Sequence, residues 1–124
     1  MDPLDILVDT SDLLDRWGWI QHRDETEEGL DLVSAIEVAT GLSLRNALPD
    51  EDRVLDLFLD PGVDVALRTL ARVVGPIPDE EPLPDQRWAW VHALTCFNDA
   101  PATTANDVRV VLAAGRDVLT ASLR

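Results

Sequence analysis

The stretch that most constrains this chain is Trp88 to Pro101 and the segment that follows it. Trp88, Trp90, Val91, Ala93, Leu94 and Phe97 fall in ten residues, which predicts a helix apolar around most of its circumference. Asn98-Asp99 stops that helix, and Pro101 prevents it from continuing. A last helix then starts with Thr104 as N-cap. Asp107 in its first turn completes an approximate capping box and offsets the positive end of the helix dipole. Val108, Val111, Leu112, Gly115, Val118, Leu119 and Ser122 recur at helical spacing and define one stripe. A glycine inside that stripe costs about 1 kcal/mol relative to alanine, so Gly115 marks a close approach of another helix. Together the two helices are expected to form the most stable hairpin of the fold.

The rest of the chain repeats the helical pattern. Asp2 caps a first helix with Pro3 at its first position. Ile6, Leu7, Thr10, Leu13, Leu14 and Trp17 point inward; Asp5, Asp9, Asp12 and Arg16 line the other side, and Gly18 closes the helix. Trp19 to Arg23 reads as an extended connection, and Asp24 to Glu28 as an acidic turn. A second helix is predicted from about Glu27 to Thr40, with Leu32, Val33, Ile36 and Ala39 inward and Gly41 as its stop. Leu44 to Leu48 reads as a single turn. Asp50 caps a third helix carrying Val54, Leu55, Phe58 and Leu59, which Asp60-Pro61-Gly62 breaks. Val63, Ala66, Leu67, Leu70, Val73 and Val74 form a fourth stripe, ended by Gly75.

Residues 76–84 hold four prolines and three acids, which predicts an extended, solvated strap. The two helices beyond it are too few for a core of their own. No strand pair is expected. The reading is an all-α, single-domain bundle of five to six helices spanning residues 1–124, with residues 76–84 as an acidic, proline-rich connection.

Charge narrows the function. The net charge is −14; residues 1–60 carry 16 acids and 4 arginines, residues 61–124 carry 8 acids and 6 arginines. Phosphates and anionic membrane surfaces would be repelled, so neither nucleic acid nor membrane is an expected direct partner. A basic protein is. All ten bases are arginine. A single cysteine, Cys96, excludes an internal disulfide and fits a reducing cytoplasm. The acidic start lacks the pattern of a leader peptide, and no apolar run is long enough to span a bilayer. A soluble, cytoplasmic protein is expected.

Trp17-Gly18-Trp19-Ile20-Gln21 near the start, and Phe97-Asn98-Asp99-Ala100-Pro101 before a Thr-capped terminal helix, resemble a family of small actinomycete and actinophage proteins of unknown function. That family reads Gly-Trp-Thr-Gln early and Trp-Asn-Asp-Ala-Pro late. Phe97 stands here for the family's Trp, and Leu32-Val33 for a Cys-Leu pair. The resemblance implies fold and lineage; it implies no activity.

Few groups suggest chemistry. His92 and Cys96 share a helix face with Asp99 close behind, an arrangement open to a nucleophile pair or half a metal site. A metal would need further ligands, and His22 with Asp24 is the evident source. The opposing reading is a small apolar cysteine on a Trp-rich helix. Asn98 and Asp99 fit a helix-end corner, where their side chains bond neighbouring backbone, better than an active site. Phe97, Pro101 and Thr104 belong to the same structural motif. Asp24 to Glu28 and Asp50 to Asp52 lack the ligand pattern of an EF-hand loop. No cofactor-binding motif is present.

Trp88 and Trp90 lie about 200° apart on a helix, so unless the helix is surrounded one indole is exposed and becomes a binding anchor. Burial is expected for Trp17 and for at least one of that pair. Trp88, Trp90 and Trp19, with the acids Asp5, Asp9 and Asp12, are the expected interaction residues. The leading expectation is a non-enzymatic, acidic helical protein-interaction domain with a protein partner and with self-association as a homodimer. One alternative is an acidic decoy for a nucleic-acid-binding protein, built on carboxylates about 5–6 Å apart. A second is a metal- or thiol-dependent enzyme using His92, Cys96 and Asp99.

Overall fold

The structure, a computed structural model, describes residues 2–21, 25–26, 29–40, 61–75 and 83–122. Among them it is an all-α bundle with one two-residue hairpin.

Helix α1 (Pro3–Trp17) starts where the sequence places it. The Asp2 carboxylate accepts from the Leu4 amide at 2.8 Å, and Pro3 occupies the first turn. Gly18, at φ 92°, ends the helix and donates its N–H to the Leu14 carbonyl. Ile6, Leu7, Thr10 and Leu14 are buried, and Asp5, Asp9, Asp12 and Arg16 are exposed. Trp17 is 41% exposed rather than inward. Periodicity gives the face of a helix, not how far its neighbours extend, and Trp17 is the last residue of α1.

The chain then makes a contact that local pattern does not announce. The Leu30 amide donates to the Gly18 carbonyl at 3.0 Å, and the Ile20 amide to the Leu30 carbonyl at 3.1 Å. Strand β1 (Glu25–Thr26) pairs antiparallel with β2 (Gly29–Leu30), Glu25 opposite Leu30 and Thr26 opposite Gly29. A strand pair therefore stands where a turn and the start of a helix were expected. The glycine permits it: a Cβ on Gly29 would collide with the Gly18 carbonyl. Gly29→Ala is accordingly expected to destabilise the protein by about 1–3 kcal/mol, the range of a forced backbone shift, read as a lower urea midpoint.

Because the backbone is engaged at Leu30, helix α2 (Leu32–Ala39) begins five residues later than predicted, with Asp31 as its cap and 2.7 Å from the Ser34 amide. It is buried from Leu32 to Glu37, whereas Ala39 is only half-buried. The expected stop at Gly41, the turn at Leu44 to Leu48 and the helix from Asp50 lie outside the described residues.

Helix α3 (Pro61–Val74) starts at the proline that was expected to break a helix. Proline is compatible with a first turn, whose N–H groups have no intrahelical partner. The same rule corrects the strap: helix α4 (Leu83–Asp99) already includes Leu83 and Pro84. Residues 76–82 lie outside the described residues. Within α4, Trp90, Val91, Leu94 and Asn98 are buried while Trp88, His92 and Cys96 face solvent. It is a one-faced helix rather than one apolar and buried all round.

Helix α5 (Ala105–Ser122) carries the reciprocal box. The Thr104 amide donates to Asp107 Oδ2 at 2.9 Å, and the Asp107 amide to Thr104 Oγ1 at 3.2 Å. Val108, Val111, Leu112, Gly115 and Leu119 are buried; Val118 and Ser122, both expected in the stripe, are exposed at its edge and end. Gly115 does mark a close approach. A Cβ there would stand 2.8 Å from Leu70 Cδ2 and 3.1 Å from Leu7 Cδ1.

The expected α4–α5 hairpin is not a packed pair. Both helices lie chiefly against α3, which also meets α1; α1 in turn packs on α2 and α5, and α2 touches α4. The buried apolar side chains of α1 to α5 and Leu30 form one cluster. Arg87 ties α4 to α3 through two bonds to Asp64, 3.0 Å from Nε and 2.6 Å from a terminal nitrogen. These bonds raise the Arg87 pKa above its ordinary value, burial opposes them, and the Asp64 charge adds to the rise.

Candidate functional site

The early and late motifs meet. Asn98 is the penultimate residue of α4 and is 1% exposed. Its Oδ1 accepts from the Trp19 indole N–H at 2.6 Å and from the Leu32 amide at 3.0 Å. Its Nδ2 donates to the Ile20 carbonyl at 3.1 Å and to Asp99 Oδ1 at 2.9 Å. A carboxamide offers two lone pairs and two N–H bonds, and all four are used. The pattern also fixes the orientation of the amide, since the reversed one would turn its NH₂ toward two donors.

Gln21 closes the corner from the other side. Its Nε2 donates to the Asn98 carbonyl at 3.0 Å and the Ala100 carbonyl at 2.9 Å, with the Thr103 carbonyl at 3.5 Å. Carbonyls at a helix C-terminus have no intrahelical partner, and a side-chain donor here satisfies them. Pro101 and Ala102 form the exposed turn between α4 and α5, and the Thr103 amide returns to the Ala100 carbonyl. Phe97 is half-buried against the core. Residues about 20 and about 100 positions along the chain are thus held by side-chain amides rather than by a sheet. Sequence reading singled out Asn98 and Trp19 but assigned no role to Gln21. Its only signal was the pairing of the two motifs.

The other expected residues divide by exposure. Trp90 is 2% exposed: it is the buried member of the pair, a core residue, and so is not available as the expected interaction residue. Trp19 is half-buried with its N–H committed to Asn98. Trp88, at 39%, is the exposed member of its pair. Asp5, Asp9 and Asp12 face solvent on α1, and no other described residue bonds or pairs with them. Asp15 differs, because Arg109 of α5 reaches it at 3.0 Å.

His92 and Cys96 are both exposed, with Sγ 3.5 Å from Nε2, so the cysteine is not the buried apolar residue of the opposing reading. The Asp99 carboxylate is engaged by Asn98. Among the described residues no three His, Cys, Asp or Glu side chains gather as metal ligands; His22 and Asp24 lie outside them. Nor is any described helix long and apolar enough to cross a membrane.

The pattern of a family of unknown function (DUF6197) matches residues 1–118. The chain belongs to that family. The matched region contains both motifs and every described element up to the last turn of α5. No curated protein and no solved structure matches the chain.

Proposed function

We propose that this member of the family is a non-enzymatic, acidic helical protein-interaction domain, cytoplasmic, whose partner is a basic protein. One observation carries the reading: α1 presents Asp5, Asp9 and Asp12 to solvent with no partner among the described residues, in a chain of net charge −14. Exposed carboxylates that no described side chain engages remain available to an external cation. The Trp19, Gln21 and Asn98 cluster is read as a structural clamp, since its polar groups satisfy one another instead of facing a cleft. The two motifs are proposed to be what the family's members share, and an actinomycete or actinophage lineage is what they imply.

The same acidic row supports a second reading, in which the domain occupies the nucleic-acid site of its partner as a decoy. Affinity capture from the source cell, washed at low and high salt, separates the outcomes. The expected result is a basic partner lost at high salt, because screening weakens exposed charge contacts. Competition by duplex DNA would single out the decoy. Capture that is salt-resistant and insensitive to charge would point instead to the exposed face of Trp88 or to self-association.

A further inference from the structure

The carboxylate row of α1 is a ridge between two open furrows. On one side Leu13 with Val38 and Ala39 of α2 floors a furrow of about 240 Å³, edged by Asp9, Asp12 and Arg16. On the other side Leu4 and Val8 face Ala113 and Thr120 of α5 across a furrow of about 340 Å³. Leu13 and Val38 are half-buried against the core, so their outer surfaces supply apolar contact area. A helix laid along α1 would place its side chains in such troughs, as ridges fit grooves between packed helices.

Charge decides which helix fits. A second copy would bring another −14 charges to an already acidic face, so self-repulsion opposes it. An oppositely charged segment is attracted over the whole ridge. Resting on the interaction reading above, we propose that the α1–α2 furrow and its ridge receive a basic amphipathic helix of a partner protein. Asp5, Asp9 and Asp12 stand at i, i+4 and i+7, the spacing at which a helix offers anchors to a groove. The partner supplies Lys or Arg at matching positions, with leucine-sized residues directed at Leu13 and Val38. Arg16, at the end of the row, adds register: it requires an acid or a neutral residue opposite, so the basic run of the partner ends there.

The test is an amide chemical-shift titration of the full chain with a synthetic Leu/Lys helix of about 18 residues, roughly five turns. A scrambled peptide of the same composition is run beside it. The expected result is saturable shifts at Asp9, Asp12, Leu13, Val38 and Ala39, with the scrambled peptide at least about tenfold weaker because it lacks the apolar face. Asp9→Asn with Asp12→Asn is expected to weaken binding about tenfold, and Asp117→Asn, exposed on α5 at the other furrow, by less than about twofold. Equal binding of both peptides, equal loss in both variants, or no shifts would overturn the proposal. Shifts centred on Trp88, His92 and Cys96 would also overturn it while leaving the interaction reading intact. If neither peptide binds and capture finds no partner, both fail together.

Discussion

Asn98→Ala is expected to cost about 3–4 kcal/mol, because it strips partners from three groups at once. The Leu32 amide loses its bond in a buried corner, the Ile20 carbonyl loses one in a half-buried place, and the Trp19 indole N–H loses its acceptor. An unsatisfied buried group costs about 1–3 kcal/mol; the half-buried Trp19 end recovers part of that from water. Against a domain stability of about 5–15 kcal/mol, the loss is a large share. Urea unfolding followed by circular dichroism measures it. A change below about 1 kcal/mol would mean that water replaces the amide without penalty, and the clamp would then be dispensable.

The second large effect separates two tryptophans two positions apart on one helix. Trp90→Ala is expected to cost about 3–5 kcal/mol, as aromatic deletions in packed cores do. Trp88→Ala should cost clearly less, about 1–2 kcal/mol, since Trp88 is 39% exposed. Comparable losses for the two would show that α4 presents a different face to α3. A tryptophan emission spectrum adds a check, because removing Trp88 should shift the remaining emission to shorter wavelength.

These two cases show where sequence reading succeeds and where it stops. Local chemistry was legible: Asp2 with Pro3, Gly18, and the Thr104–Asp107 box stand at the helix ends where their residue types put them. Gly115 was legible as a close approach, though its neighbours proved to be Leu70 and Leu7. Periodicity gave the angle between Trp88 and Trp90 but not which of them met a neighbour. Proline misled at the strap: Pro84 lies in the first turn of α4, where the missing N–H has no consequence. Pro61 opens α3, and the segment it was expected to end lies outside the described residues.

What escaped entirely was non-local. Gly29 is required by the carbonyl of Gly18, which no window of sequence around Gly29 contains. That contact produced the hairpin and delayed α2. Asn98 bonds to groups 66 to 79 positions away, so no local propensity encodes it. The resemblance pairs two motifs in sequence without showing that they touch. For the acids of α1 the difficulty is the reverse. Their exposure was legible from the stripe, but exposure alone names no partner.

The most direct measurement takes Asp5→Asn, Asp9→Asn and Asp12→Asn together through affinity capture and thermal unfolding side by side. The account predicts that the partner is lost while Tm changes little, because relief of like charges on one helix face offsets the loss of the first-turn carboxylate of Asp5. A partner retained in full by this folded variant would contradict the claim that the α1 ridge is the working surface of the domain.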